Sequence, residues 1–342
     1  MKTNSCETGG DKPDLRPDSP YGQTGIHRRM LADARRVTAF RQAITKAVRP
    51  GDVVLDAGTG TGILALLAAR AGAGKVYAVE PTPIIKTARK IVEANGLGNV
   101  IELVHSCIEH ACPPQQADLV MWEWIGIFGI DEGLLPLFLL ARDRWLKPGG
   151  RLIPETVSVH MAPAFDTELA EERNYWLNRP YNLDFSAIWD RTVEEWQYTR
   201  HHIAPHHLAA DPTCLWIFDS YRMSKKEACA VHRATVEFTI ARPGTVNCLA
   251  LWFDATLFGD VALSNAPDAP PTHWGRMAFP LNLTYSVETG SLIRVEFAFQ
   301  ADAPGDFVQP TAASASRRCE LSVKVDDHAW ERHYDSRAVN GA

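Results

Sequence analysis

Residues 53–72 read VVLDAGTGTGILALLAARAG. A β-branched run enters three alternating glycines, Gly58, Gly60 and Gly62, and leaves into a leucine-alanine stretch closed by Gly72. Strand, glycine loop, helix is the opening unit of a parallel, doubly wound sheet, whose ligands sit at the carboxyl ends of its strands. Glycines at that exit let the backbone turn sharply and approach a ligand closely. The nicotinamide spacing G-x-G-x-x-G fails, because the position for its third glycine is Ile63. The next strand, KVYAVE, ends in Glu80, where a carboxylate can accept both hydroxyls of a ribose.

The pattern extends in both directions. Upstream, Met30, Leu31, Ala34, Val37, Phe40, Ile44 and Val48 follow a helical spacing that reads as one helix from Ile26 to the RPGD stop at 49–52. Downstream come a helix in PIIKTARKIVEANG, strands in NVIELVHS and ADLVMWEW, and a helix in GLLPLFLLARDRWLKPGG with a Pro-Gly-Gly exit. After Pro154 the period changes. HRATVEFTI, VNCLALWFDATLF, SLIRVEFAF and RCELSVKV are short strands between turns, as in an antiparallel sandwich or barrel. The chain therefore divides into a flexible polar leader (1–20), a Rossmann-like α/β domain with an N-terminal cover helix (21–155), and a β-barrel domain (156–342). An aromatic-rich arm is inserted at about 166–210.

Composition narrows the function classes. Thirty-five basic against 41 acidic residues give a net charge of −6, opposite to the basic excess of a general nucleic-acid binder. No apolar run approaches a membrane span, and the leader has no apolar core of a signal peptide. Seven scattered cysteines without a CxxC pair fit a reduced, cytoplasmic protein better than a disulfide scaffold or zinc site. The arginine-rich, lysine-poor composition is that of a GC-rich bacterial gene.

A second stretch carries the chemistry. MWEWIGIFGIDEGLL, 121–135, is almost wholly apolar yet holds Glu123 and Glu132, with Asp131 beside the second. A buried carboxylate without a partner costs several kcal/mol or more, so the segment calls for a cation. A guanidinium fits: carboxylates pair with it in a fixed plane, and gripping two of its nitrogens leaves the third richer in electrons. Gly126 and Gly129 would let the loop double back and bring both acids to one pocket. Acids at a strand end and a helix start are the plainer reading of the same spacing.

The D-x-G-x-G-x-G loop with its later acid resembles that of S-adenosyl-L-methionine (SAM)-dependent methyltransferases. Three further motifs resemble the protein arginine methyltransferases: the E-W-x-G-x₅-E loop at Glu123, Trp124, Gly126 and Glu132, the triplet Thr272-His273-Trp274, and the cover helix in YGQTGIHRRMLADARR from Tyr21. The similarity runs from about Tyr21 to the C-terminus. It implies SAM as cofactor, with Arg36 on its carboxylate, Glu80 on its ribose, Glu109 on its adenine, and Asp56, Gly58 and Gly60 forming the loop beneath it. It also implies catalytic roles for Glu123, Glu132 and the His273–Asp33 pair, and a substrate pocket walled by Tyr21, Met30, Trp124 and Trp274. The family's arm docks on a second subunit, which implies a head-to-tail homodimer. Pro17 and Asp18 stand where the family has a Tyr-Phe pair, and Trp122 where a serine is common.

The expected activity is methyl transfer to an arginine guanidino group, with free L-arginine or a small guanidino metabolite slightly favoured over arginine in a protein or peptide. A non-catalytic cofactor-binding dimerisation module, or another nucleophile, are the competing readings. His273–Asp33, Glu132 and water all remain open as proton acceptor. HHIAPHH at 201–207 is not expected to hold a metal, because Pro205 interrupts the helix that would align His202 with His206.

Overall fold

Among the described residues two α-helices precede the first strand, where the apolar spacing reads one. α1 (Thr24–Ala32) and α2 (Ala34–Ala47) meet at Asp33, whose carboxylate caps the second helix by accepting the Arg36 N–H at 2.9 Å. The hydrophobic period runs straight through the break, so a side-chain cap decides it and periodicity cannot. The computed structural model describes residues 19–194, 197–199, 203–300, 318–326 and 328–335.

β1 (Val53–Ala57), α3 (Ile63–Arg70), β2 (Lys75–Val79), α4 (Ile85–Ala94), β3 (Ile101–Val104), β4 (Ala117–Met121), α5 (Leu135–Trp145) and β5 (Leu146–Ile153) follow. The strands form a sheet in the order β3-β2-β1-β4-β5, every pair parallel. The Pro-Gly-Gly segment read as a helix exit lies inside β5, where a register irregularity against β4 absorbs it. Strand order reverses between β1 and β4, so the loops leaving their carboxyl ends diverge and open a crevice. The glycine loop and the two-acid loop are these two loops.

The remainder is antiparallel. After β6 (Thr156–Ala164) come the arm helices α6 (Thr167–Leu177) and α7 (Ser186–Glu194), β7 (Gln197–Thr199), β8 (Thr213–Asp219), α8 (Lys225–Ala228), β9 (His232–Thr239), β10 (Gly244–Phe258) and β11 (Val261–Ser264). β12 (Arg276–Val287), β13 (Leu292–Gln300), β14 (Arg318–Val325) and β15 (His328–Asp335) complete it. One sheet runs β7-β12-β10-β6-β8, with β11 also on β10, and the other β15-β14-β13-β9. Together they make the β-barrel that follows the Rossmann-like domain. One apolar core is continuous from the parallel sheet into the barrel.

The apolar character of the two-acid loop has its reason here. Phe128, fully buried at the loop's tip, stands edge-on to Phe299 (5.1 Å) and Phe279 (6.3 Å) of the barrel. Burying such a ring stabilises by roughly 2–3 kcal/mol, which anchors the loop in the second domain. Among the described residues no helix is long and apolar enough to cross a membrane. Among the described residues Cys107, Cys214, Cys229, Cys248 and Cys319 are free thiols.

Candidate active site

The two diverging loops, the start of α1 and the Thr272–Trp274 segment enclose a cavity of about 520 Å³, ample for a nucleoside-sized ligand and an extended side chain. Gly58 and Gly60 line its floor, and both have positive φ. A Cβ on Gly58 would lie 2.5 Å from Trp122 Nε1, and one on Gly60 2.7 Å from His27 Cε1. Glu80 is buried beside them. One of its oxygens accepts the Gly60 N–H and the other the Thr82 N–H, both at 2.9 Å. A carboxylate has about four acceptor positions, so lone pairs remain for ribose hydroxyls. Glu109 lines the same cavity.

Asp56 is placed differently from the sequence expectation. It lies behind the loop, fully buried, and accepts from Thr59 Oγ1 (2.5 Å) and the Ala65 N–H (3.0 Å) instead of facing the cavity. Its pKa rises to about 7, chiefly through burial, against which the Thr59 and Ala65 hydrogen bonds act only partly. Asp56 shapes the loop from beneath.

The acid loop reverses between Gly126 and Gly129, which exchange backbone hydrogen bonds at 3.0 and 3.2 Å. Asp131 holds the turn by accepting the Phe128 N–H at 3.0 Å, and a Cβ on Gly126 would meet its Oδ1 at 2.2 Å. The reversal brings Glu123 and Glu132 to one cavity. Each already has a donor from the chain. Arg36 donates through Nη2 (2.6 Å) and Nε (3.1 Å) to Glu123 Oε2, while Oε1 accepts the Ile125 N–H at 3.0 Å. Tyr21 donates its hydroxyl to Glu132 Oε1 at 2.8 Å. Burial, then the charge and hydrogen bond of Glu132, push the Tyr21 pKa well above its ordinary value, so it stays a donor.

Arg36 and Glu123 are both nearly buried, so removing either would strand a charge. The sequence reading assigns Arg36 to a ligand carboxylate; the structure places its guanidinium on Glu123, at the wall of the cavity it lines.

Opposite, His273 donates its backbone N–H to Asp33 Oδ2 at 2.8 Å and pairs with the same oxygen through Nδ1 at 2.9 Å. Burial raises the Asp33 pKa, but the hydrogen bonds from His273 and Arg36 outweigh it and bring it to about 2. An ionised Asp33 favours the tautomer that carries its proton on Nδ1. Trp274 walls the cavity and donates from Nε1 to the Ile125 carbonyl at 2.8 Å. Met30 lines it too. Trp124 does not: it is buried against Phe138, 5.9 Å between rings.

His27, missed by the sequence reading, is buried in α1 with Nε2 2.7 Å from the Tyr21 carbonyl. Only its place on the cover helix could have flagged it. Trp122 lines the cavity beside Gly58, where the sequence marks it only as a departure from the family. His206 and His207 lie with ring centres 4.1 Å apart; His201 and His202 fall outside the described residues.

Comparison with known proteins agrees with this construction. Residues 155–305 match the family profile described as the arginine methyltransferase oligomerization subdomain, and residues 39–124 the ribosomal protein L11 methyltransferase profile. Protein arginine N-methyltransferase 6 of Xenopus laevis is 30% identical over 277 residues, 78% of this chain and 81% of that protein. Protein arginine N-methyltransferase 1 of Dictyostelium discoideum is 32% identical over 280 residues, 80% and 81% of the two chains. Among solved structures, the Trypanosoma brucei PRMT1 enzyme-prozyme complex with AdoHcy aligns with a TM-score of 0.77 at 26% identity, covering 92% of this chain and 98% of that one. A class I methyltransferase domain joined to a barrel is the class that fold and cavity define. The chain belongs to the protein arginine methyltransferase family.

Proposed function

We propose that this protein transfers a methyl group from S-adenosyl-L-methionine to the guanidino nitrogen of an arginine held in a protein or peptide. The observation that carries the reading is that Glu123 and Glu132 converge on one cavity with the glycine loop, and that Glu123 already holds a guanidinium, that of Arg36. The relatives are named as protein arginine N-methyltransferases, which favours a peptidyl substrate and removes support from the expected preference for free arginine.

The residues present fit the cofactor: Glu80 for the ribose, Glu109 for the adenine, His27, Gly58 and Gly60 beneath, and Arg36 for the carboxylate while it remains beside Glu123. When bound, S-adenosylmethionine supplies an electrophilic methyl carbon on a sulfonium. Glu123 and Glu132 orient the substrate guanidinium, draw positive charge toward the nitrogens they face, and aim the remaining nitrogen at that carbon. Tyr21 steadies Glu132, and Met30 and Trp274 wall the pocket. The proton lost from the methylated nitrogen passes to Glu132, to the His273–Asp33 pair or to water.

The arm supports association with a second copy: Tyr181 is 86% exposed and Leu183 58%, in the turn between α6 and α7 and within the match to an oligomerization subdomain. A head-to-tail homodimer would cover them.

Mass spectrometry of parallel reactions with S-adenosylmethionine, one on a glycine-arginine-rich peptide and one on free L-arginine, tests the reading. A 14 Da gain on the peptide is expected, by the mass of one methylene per transfer. Product from free arginine alone, or from neither despite cofactor binding, would overturn it.

A further inference from the structure

The acid loop and the histidine loop lie far apart in the sequence, yet a single buried side chain joins their backbones. Asn265 follows β11 and is 2% exposed. Its Nδ2 donates to the Ile127 carbonyl, inside the reversal between the two acids, and to the Gly275 carbonyl, two residues past His273, each at 2.7 Å. Its Oδ1 accepts the Phe253 N–H of β10 at 2.8 Å. Two donors and one acceptor are thereby used, and the orientation has one solution, because the flipped amide would set its oxygen against two carbonyl oxygens.

We propose that Asn265 is a positioning residue for methyl transfer, setting the separation of the Glu123–Glu132 loop from the His273–Trp274 loop by tying both to a barrel strand. Asn265 does not line the cavity and acts only through the two loops. The contacts on both loops are backbone carbonyls, so no side chain of Ile127 or Gly275 can substitute for the tie. Trp274 reinforces it one turn away through its bond to the Ile125 carbonyl. The cofactor side has its own bonds, from Glu80 and Asp56, and is independent of Asn265. The inference rests on the methyl-transfer reading, since a misplacement of about 1 Å at a reacting centre can cost on the order of a hundredfold in rate.

Two full-length variants test it. Asn265→Leu removes all three bonds at similar size; Asn265→Asp keeps the acceptor for Phe253 and removes both donors to the loops. Steady-state kinetics on a glycine-arginine-rich peptide, titration with S-adenosylhomocysteine, and hydrogen exchange of 123–133 against 56–66 are read for each. Expected are a fall in kcat of about tenfold or more in both variants, an S-adenosylhomocysteine Kd within about twofold of wild type, and faster exchange confined to 123–133 and 272–276. A kcat within about twofold of wild type would overturn the proposal. So would loss of S-adenosylhomocysteine binding in both variants, which would make Asn265 a folding residue. A wild type that binds cofactor without turnover would instead fail the methyl-transfer reading, and unchanged exchange in 123–133 would then still refute the tie.

Discussion

The glycine loop after β1 and the acid loop after β4 face each other across one cavity, but they are held by opposite means. Every bond that shapes the glycine loop is made within 56–82: Thr59 and Ala65 to Asp56, Gly60 and Thr82 to Glu80. The acid loop adds distant partners to the bonds of its own turn: Tyr21 and Arg36 before it and Asn265, Trp274 and Phe299 beyond it. Under the proposed function, cofactor recognition would rest on the first domain, whereas the guanidinium site would be completed by the barrel. The two functions should separate under mutation.

The largest separation is expected in Glu132→Gln, which loses one of the two charges facing the substrate but touches no cofactor residue. Methyl transfer should fall by about a hundredfold or more, ~2.7 kcal/mol of transition-state stabilisation, with S-adenosylhomocysteine affinity unchanged. A variant retaining most of its rate would favour a different nucleophile. A matched pair of glycine substitutions sharpens the contrast. Gly58→Ala places a methyl against Trp122 at a positive φ, and should weaken S-adenosylhomocysteine binding by roughly 30-fold, ~2 kcal/mol of strain. Gly126→Ala drives a methyl into Asp131 and should cost a similar factor in transfer while calorimetry shows cofactor binding intact. Equal losses of both functions in both variants would erase the distinction.

Smaller and opposite effects are expected in the pH dependence of stability. Asp33, on the acid-loop side, has its pKa lowered from 3.8 to about 2, so its contribution is whole above about pH 4 and lost as pH falls toward 2. Asp56, under the glycine loop, has its pKa raised from 3.8 to about 7. Its contribution is whole below about pH 4 and lost as pH rises toward 7, because the unfolded chain ionises first. Thermal unfolding followed from pH 2 to 8 should therefore show the acid limb flattened in Asp33→Asn and the limb between pH 4 and 7 flattened in Asp56→Asn. Identical profiles for variants and wild type would contradict the assigned environments.

The same contrast explains what the sequence makes legible. The glycine loop, Glu80 and the parallel sheet can be read because local period and spacing build them. The reversal of the acid loop is legible from Gly126 and Gly129. What escapes is whatever depends on partners distant in sequence: Asp33 breaking one apparent helix into two, Arg36 resting on Glu123, His27 against Gly60, and Asn265 in a turn-like SNAPDAPP stretch. Motif membership places Trp124 and Asp56 at the site, yet both face the core, because a motif fixes spacing and not the direction a side chain takes.

The central claim is that the two acids converge on a guanidinium, and one titration addresses it most directly. Protein saturated with S-adenosylhomocysteine is titrated with a glycine-arginine-rich peptide and with the same peptide carrying citrulline, the neutral isostere, at the target position. The arginine peptide should bind at least about 30-fold tighter, ~2 kcal/mol, as a cation held by two partly buried carboxylates. Equal affinity for the two peptides would contradict it.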